Sequence, residues 1–323
     1  MSAFDARPYL KEIARGQHGA RNLTREQART LFAAIFAGEV ADVALGAVLV
    51  ALRIKNETPD ELGGMMDALA AQVHAVRFPA RRALPLVIPT YNGARKLPNL
   101  VPLLALLVAR EGVPVLLHGT MGESQRVGTF EILALLGHAP ASSLAEAEQA
   151  LDTRSLAAVS TQLLSPALAR LIALRGITGV RNSAHTLAKL LIPAGVAPDA
   201  AFRLVAVTHP DFRTLMGEHF ASAPAHAFLM RGVEGEPVVR LHAPQPIEEI
   251  DPRGDIVTHL IHESDPAPAL PERDAESTAR WTQAVLEGRE PAPAALSAQA
   301  AILVKACRDA GASRPPLKLV SSQ

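Results

Sequence analysis

Residues 85–117 read PLVIPTYNGARKLPNLVPLLALLVAREGVPVLL, and their pattern indicates the fold class. Short apolar runs of the β type stand at its two ends, at residues 85–88 and 115–117. Between them, residues 100–110 are apolar over the length of a helix, and Gly112 follows as a stop signal. A strand, a helix and a strand in this order predict a parallel sheet with helices on its faces.

The same alternation continues toward the C-terminus. Ser143 and Ser165 stand where helix caps are expected, and Gly137 follows an apolar helical segment. The pattern predicts helices at 129–136, from 143 and at 165–174, and strands at 157–159, 203–207, 227–230 and 238–241. The larger part of the chain is therefore predicted to be α/β with a mostly parallel central sheet.

The first 75 or so residues carry helix signals and no strand signal. Thr24 is followed three residues later by Gln27, a capping box that opens a helix. Thr58, Pro59 and Glu61 give a second start signal, because a capping threonine, a first-turn proline and an acid agree. We expect a helical domain over residues 1–76, an α/β domain over residues 77–323, and a cleft between them.

The amino-acid composition indicates which classes of binding partner and which cell compartment to expect. Lys plus Arg and Asp plus Glu are both 32, so the total charge points to no polyanionic or polycationic partner. The single cysteine, Cys307, excludes a disulfide within the chain. The N-terminus shows no signal-peptide pattern, and the apolar runs are shorter than the ~20 residues of a membrane helix. These features predict a cytoplasmic protein with no membrane partner.

The common chemical motifs are missing from the sequence. It contains neither a dinucleotide-binding nor a P-loop glycine pattern, and no Ser, His and Asp set that announces a hydrolase. His259, His262 and Glu263 suggest a metal trio. Residues 256–258 read as a strand, however, and a strand places residues three apart on opposite faces. We therefore predict no metal, no cofactor and no catalytic residue.

Three segments place cations beside small or polar residues. The first, Pro89–Lys96, follows the first strand of the sheet, where open α/β sheets bind ligands. The second, from His118, follows the next strand, and the third is Arg175–His185. The residues predicted to bind anions are Asn92, Arg95, Lys96, Arg126, Arg175, Arg181, Asn182, Ser183 and Lys189.

With these segments the chain resembles the anthranilate phosphoribosyltransferase and class II nucleoside phosphorylase family, glycosyltransferase family 3. The likeness extends from about residue 10 to about residue 290, and it includes Leu23–Ala28, Gly38–Val40 and Ala51–Thr58. The resemblance implies a small helical domain that also forms a dimer contact, a larger α/β domain, and an active-site cleft between them.

The catalytic positions depart from that family. Where the enzymes carry a Gly-Thr-Gly-Gly-Asp loop for pyrophosphate and ribose, this chain has Pro89–Gly93. Where they place an Asp-Glu pair on magnesium, this chain has Pro237 and Val238, which supply no oxygen ligand from a side chain. Glu236 alone is a weak substitute. Phosphoribosyl transfer to anthranilate is therefore not expected.

The replacements resemble a divergent, YbiB-like subgroup of the family, described as nucleic-acid-binding. Ile88–Lys96 and Gly179–Leu190 carry this likeness. It implies a non-catalytic homodimer that binds DNA and RNA without sequence preference, since Arg and Lys contact phosphates rather than bases. Aromatic residues make up only 4% of the chain, so base stacking contributes little.

A second hypothesis is a glycosyltransferase, phosphoribosyltransferase or nucleoside phosphorylase with a rebuilt active site. Asn99, His118, Gly119 and Arg181 stand at positions like those of the family. An unused cleft need not keep such residues, and this favours the enzyme hypothesis.

Overall fold

The computed structural model describes residues 4–16, 18–121, 125–264, 266 and 268–313. It contains a sheet of seven strands in the order β3-β2-β1-β4-β5-β6-β7. The strands are β1 Leu86–Thr90, β2 Val115–Gly119, β3 Leu156–Ser160, β4 Phe202–Val207, β5 Ala227–Arg231, β6 Gln245–Ile250 and β7 Ile256–Ile261. Strands β1 to β5 are parallel, and β6 and β7 join antiparallel at one edge. The predicted α/β class is confirmed.

Helices cover both faces of this sheet and form the N-terminal part of the chain. The helices are α1 Arg7–Ile13, α2 Arg25–Ala37, α3 Asp42–Lys55, α4 Pro59–Ala70, α5 Val101–Arg110, α6 Thr129–Leu135, α7 Leu144–Arg154, α8 Thr161–Leu164, α9 Pro166–Ala173, α10 Arg175–Thr178, α11 Ala184–Leu190, α12 Pro210–Ser222, α13 Ala275–Leu286 and α14 Ala294–Ala312. No helix within the described residues is long and apolar enough to cross a membrane.

Capping residues explain where the N-terminal helices begin. The Thr24 side chain accepts from the Gln27 nitrogen and starts α2, and Thr58 does the same for α4 through Glu61. Glu61 is fully buried, and its carboxylate also accepts from Lys55 Nζ at 2.7 Å. A buried carboxylate needs such partners, because an unpaired buried charge is costly. The predicted capping box at Thr24 and the predicted helix start at Thr58 are both confirmed.

Alternation along the strands divides the core into two layers. Leu116, Val205 and Leu229 point into the layer that contains α2, α4, α9, α11 and α12. Their strand neighbours, such as Leu117 and Leu204, point into the layer of α5 and α14 on the other face. The N-terminal helices thus pack on one face of the α/β sheet.

The predicted strand over residues 238–241 is wrong. The Val239 nitrogen donates to Gln299 Oε1 and the Arg240 nitrogen donates to Gln245 Oε1. Side-chain oxygens therefore accept the hydrogen bonds of these two backbone nitrogens, which do not require a neighbouring strand. Strand β6 at Gln245–Ile250 occupies the sheet position instead.

Candidate functional site

Three strands end at the same level, so the loops that follow them lie side by side at the carboxyl-terminal edge of the sheet. Thr90, Gly119 and Ser160 are in register at the carboxyl ends of β1, β2 and β3. A Cβ atom on Gly119 would lie 1.8 Å from the Thr90 carbonyl oxygen, so only glycine fits there. This close approach brings the loops after β1 and β2 together.

The loop after β1 encloses the carboxylate of Glu236, which comes from the turn after β5. Thr90 Oγ1 donates to Glu236 Oε2 at 2.6 Å, and the backbone nitrogens of Asn92 and Gly93 donate to Oε1 at 2.6 and 2.7 Å. Glu236 is almost completely buried. Its negative charge is therefore held by backbone and hydroxyl donors inside the site.

A second carboxylate from the same turn occupies the next set of backbone donors. The nitrogens of Arg95, Lys96 and Leu97 point to Glu234 Oε1 at 3.2, 2.8 and 3.1 Å. Arg126 Nη1 lies 3.7 Å from Glu234 Oε2. Consecutive backbone N–H groups converging on one anion form an anion-binding nest. We call the Arg95, Lys96 and Leu97 nitrogens the outer nest, and the Asn92 and Gly93 nitrogens the inner nest.

The two carboxylates are held by a tight hairpin at Val233–Glu236. The Val233 nitrogen donates to the Glu236 oxygen at 3.0 Å, and the reverse bond is 2.9 Å. Glu234 and Gly235 between them both have positive φ, at 53° and 92°. This conformation suits Gly but is unusual for Glu. Outliers of this kind cluster at functional sites.

Asn92 and Arg181 tie the inner nest to the segment before α11. Asn92 Nδ2 donates to the Gly235 oxygen at 2.9 Å, and Arg181 donates to Asn92 Oδ1. Two of the predicted anion-binding residues are therefore brought into contact with each other. In this arrangement the Asn92 amide orients the hairpin.

Lys189 also points inward. Its ammonium donates to the Ala206 carbonyl and lies 3.5 Å from that of Gly235. Desolvation lowers the pKa of Lys189 to about 8, although the nearby Glu236 opposes this shift. A cation held among carbonyl groups next to a buried carboxylate stabilises the hairpin.

Asn182 and Ser183 make internal contacts. Asn182 Nδ2 donates to the Leu171 oxygen at 2.8 Å, and its Oδ1 accepts from the Ala184 nitrogen. Ser183 Oγ donates to Glu57 Oε1 at 2.6 Å, which links this segment to the connection between α3 and α4. Burial raises the pKa of Glu57. Asn182 and Ser183, which the sequence predicts to bind anions, thus form hydrogen bonds within the protein.

The remaining predicted cations differ in their surroundings. Arg95 and Lys96 have exposed side chains, while their backbone nitrogens hold Glu234. Arg126 donates to the Gly93 oxygen at 3.1 Å and is partly buried. Arg175 begins α10 and lines a separate cleft. The structure therefore brings Asn92, Arg126, Arg181 and Lys189 around one hairpin and leaves Arg95 and Lys96 on its solvent side.

That separate cleft lies at the carboxyl ends of β2 and β3. Its volume is about 580 Å³, which is within the range of small-molecule sites. Thr120, Ser160 and Gln162 supply polar groups, Arg175 supplies a cation, and Ile172 supplies apolar surface. We call this space the α9 cleft. A few polar groups on a partly apolar wall can orient a ligand of mixed character.

A Tyr–His pair joins the residue directly after β1 to β2, the strand whose end lines the α9 cleft. Tyr91 Oη and His118 Nδ1 are 2.6 Å apart. Burial lowers the pKa of His118 to about 3 and raises that of Tyr91. His118 is therefore neutral at neutral pH, and its Nδ1 atom is hydrogen-bonded to Tyr91.

Two family models match the chain. The description "Glycosyl transferase family, helical bundle domain" matches residues 7–73, and "Glycosyl transferase family, a/b domain" matches residues 93–312. The chain belongs to this glycosyl transferase family.

Curated relatives narrow the position within the family. Uncharacterized protein YbiB of Escherichia coli (strain K12) is 40% identical over 310 residues, covering 95% of this chain and 96% of that protein. An anthranilate phosphoribosyltransferase of Methylocella silvestris is 30% identical over 230 residues, covering 71% of this chain and 63% of the enzyme. The chain is thus a YbiB-like member of the family, as its sequence predicts.

Solved structures show the same fold. The anthranilate phosphoribosyltransferase of Thermus thermophilus has a TM-score of 0.72 at 24% identity, covering 94% of this chain and 95% of that one. The Saccharomyces cerevisiae enzyme in complex with PRPP and Mg has a TM-score of 0.72 at 13% identity, covering 94% and 90%. These likenesses support the fold and not an activity.

The residues present do not fit the magnesium ion that the family resemblance implies. Both oxygens of Glu236 accept hydrogen bonds from protein donors, and Pro237 and Val238 follow it. The oxygens of Glu234 face backbone nitrogens. Magnesium requires free oxygen ligands, and N–H donors at the same oxygens compete with it. We therefore assign no chemical step to a metal at this hairpin.

Glu234 and Glu236 are the residues whose position sequence reasoning missed. In the sequence Glu236 stands out only as a weak metal ligand, and Glu234 does not stand out at all. The Glu-Gly dipeptide at 234–235, in a position where hairpin turns favour Asn-Gly, is the local signal that marks this turn.

Proposed function

We propose that the protein is a metal-independent member of the glycosyl transferase family that takes a nucleoside or other glycosyl compound into the α9 cleft. The observation that carries the proposal is this cleft itself, at the strand ends where open α/β sheets bind ligands. Its lining of hydroxyl groups, an amide and one guanidinium suits a sugar with an attached base or phosphate.

Residues at positions like those of the family support the same class of function. Asn99 Nδ2 donates to Thr129 Oγ1 and to the Val127 oxygen, both at 3.1 Å, and this holds the end of the loop after β1. Gly119 brings that loop against β2, and His118 is paired with Tyr91. These residues maintain a formed cleft, although the hairpin at 233–236 replaces the family's metal-binding pair.

Ligand-dependent stabilisation tests the proposal. The melting temperature is measured with a panel of nucleosides, ribose 5-phosphate and phosphoribosyl pyrophosphate, each with magnesium and with a chelator. A ligand at ~100 times its Kd stabilises by about 2.7 kcal/mol, which a melting scan detects. We expect a positive shift that magnesium does not increase.

A matched pair of variants places the ligand in the α9 cleft. Arg175→Ala should reduce the shift, because it removes the guanidinium of the lining, whereas Arg213→Ala on α12 should leave it intact. No shift with any compound would contradict the proposed function. An equal loss in both variants would place the ligand elsewhere.

Sequence-independent binding of DNA and RNA has less support from the geometry. Arg95 and Lys96 are exposed, whereas Lys189 and Arg126 contact carbonyl groups of their own chain. Fluorescence anisotropy with unrelated single- and double-stranded oligonucleotides at several salt concentrations tests it. Under this hypothesis the affinity falls steeply with salt, by a slope of ~0.7–0.9 per phosphate contact.

We further propose that the protein forms a homodimer through α3. Val43 and Ile54 on this helix are 89% and 74% exposed, and Val50 lies between them on the exposed side. Positions 43, 50 and 54 fall on one face of a helix. An exposed apolar stripe of this kind is typical of a helix that packs on a second copy.

A further inference from the structure

We infer that Arg203 belongs to a binding site for a small carboxylate, between β4 and α12 at the amino-terminal edge of the sheet. Arg203 is the second residue of β4, and in the sheet it lies between Val87 of β1 and Ala227 of β5. The α9 cleft lies at the opposite, carboxyl-terminal edge. This site therefore goes beyond the proposed function, which concerns that cleft.

The guanidinium of Arg203 is a charged group without a partner in the part of the chain that the structure describes. Its Nε atom is buried and has no hydrogen-bond acceptor, and Arg203 forms no ion pair with a described carboxylate. Burial lowers the pKa of Arg203 to about 10, so the group stays protonated at neutral pH. A buried charge without a counter-ion destabilises a fold, and a bound anion would remove this penalty.

Strand alternation directs Arg203 toward α12. Val205, two residues further along β4, belongs to the core layer on that face, and so does Ala227. Helix α12 covers this layer with Met216 and Phe220. Arg203 as a whole is only half-buried, and the side chain of Ala227 beside it is a single methyl group. The guanidinium thus stays within reach of a small ion from solvent.

His219 on α12 supplies a second polar group without a partner. It is buried, and its Nδ1 atom has no hydrogen-bond partner among the described residues. Burial, followed by the charges of Arg203 and Arg25, lowers the pKa of His219 to about 4, so its ring lies in the field of the Arg203 guanidinium. Asp67 opposes this shift but is paired with Arg25. A neutral imidazole can donate from Nδ1, so His219 and Arg203 can hold one anion together.

The shape of the guanidinium indicates the class of anion. Its Nε–H and one neighbouring N–H point in parallel, and this pair matches the two oxygens of a planar carboxylate. One carboxylate thus gives the buried Nε atom an acceptor and the charge a counter-ion. A spherical anion such as chloride cannot accept two parallel hydrogen bonds in this way. The ligand is therefore a compact organic acid, of which formate is the simplest example.

The melting temperature of the full chain in sodium formate, compared with sodium chloride at the same ionic strength and pH, tests the inference. Formate at ~10 times its Kd should raise the melting temperature by about 2 °C more than chloride does. Arg203→Met keeps the length of the side chain and removes the guanidinium, so this difference should disappear. Arg21→Met is the matched control, because the Arg21 side chain is 67% exposed and the change in net charge is the same.

Equal effects of formate and chloride on the wild type would overturn the inference, and so would a formate effect that persists in Arg203→Met. A second measurement uses the wild type alone. The ¹H–¹⁵N signal of the Arg203 Nε–H group should shift with formate at neutral pH and reach saturation. A signal that does not move would show that water, and not a carboxylate, solvates the guanidinium.

The result can be told apart from failure of the proposed function. Formate carries neither a sugar nor a base, and nucleosides carry no carboxylate. A formate effect that survives in Arg175→Ala and is lost in Arg203→Met assigns the anion to the amino-terminal edge, whether or not a glycosyl compound binds in the α9 cleft. The reverse pattern would place the carboxylate in that cleft and overturn the assignment.

Discussion

The carboxylate of Glu236 lies 2.6 Å from the backbone nitrogen of Asn92, although the two residues are 144 positions apart in the chain. Through this contact the turn after β5 organises the loop after β1. The loop thus has the shape of an anion-binding site, and an acidic side chain of the same protein occupies that site.

Removal of the Glu236 carboxylate should destabilise the fold. Glu236→Ala leaves the buried nitrogens of Asn92 and Gly93 without their acceptor and takes one of two partners from the Thr90 hydroxyl. It also leaves Lys189 without its nearby anion. We expect a loss of about 3–5 kcal/mol in the free energy of unfolding. Urea denaturation measures it, with Glu218→Ala as the exposed control. A loss below about 1 kcal/mol, the scale of one ordinary hydrogen bond, would contradict this role.

A side chain at position 119 should separate β1 from β2. In Gly119→Ala the new Cβ would meet the Thr90 carbonyl oxygen at 1.8 Å, and backbone cannot yield as a flexible side chain can. Overpacking of this kind costs about 1–3 kcal/mol or more. Gly217→Ala in α12 is the control, because a Cβ atom there meets nothing within 4 Å and the change should stabilise the fold by about 0.5–1 kcal/mol. Melting curves that rank the two variants in the opposite order would refute this account of Gly119.

His118 should make the fold sensitive to acid. Its pKa is lowered to about 3 by burial, from 6.5 in an unfolded chain, so the unfolded state takes up a proton first as pH falls. The stability that neutral His118 contributes is present above pH 6.5 and is lost as the pH falls toward 3. Between about pH 7 and about pH 5 the wild type should lose about 2 kcal/mol relative to His118→Gln. Urea unfolding of both proteins at the two pH values measures the difference, and parallel losses would show that His118 is not the cause.

Charge on the exposed face of α3 should disrupt the proposed dimer. Ile54→Asp places a carboxylate in the apolar stripe, where a second copy would have to desolvate it. Sedimentation velocity should show a monomer for this variant and a dimer for the wild type. Val257→Asp, at an exposed apolar position on β7, is the control and should remain dimeric. A monomeric wild type would remove the basis of the proposal.

Much of the fold follows from local sequence signals. The capping boxes at Thr24 and Thr58 begin α2 and α4 as predicted, because a cap depends on residues three positions apart. The strand–helix–strand order that starts at residue 85 predicts the parallel strands, because it too can be recognised within a short stretch of sequence. The apolar segment 238–241 misled the prediction, since its backbone partners, Gln299 and Gln245, are side chains that periodicity does not show.

The candidate site was less accessible to sequence reasoning. The three cationic segments do lie at the carboxyl edge of the sheet, but their donors and acceptors pair with distant residues. Ser183, for example, donates to Glu57, and no local pattern connects the two. Whether the named residues bind an external anion stays a prediction that the titrations above address.

The inner nest also has a thermodynamic consequence. A loop that becomes ordered only on ligand binding loses conformational entropy. This loss weakens the free energy of binding by about 1–2 kcal/mol for each residue whose backbone becomes fixed. Here Glu236 has already fixed the backbone at Asn92 and Gly93 before any ligand is present. Association at this edge of the sheet should therefore proceed with a small entropic penalty and little change in heat capacity, in contrast to coupled folding and binding.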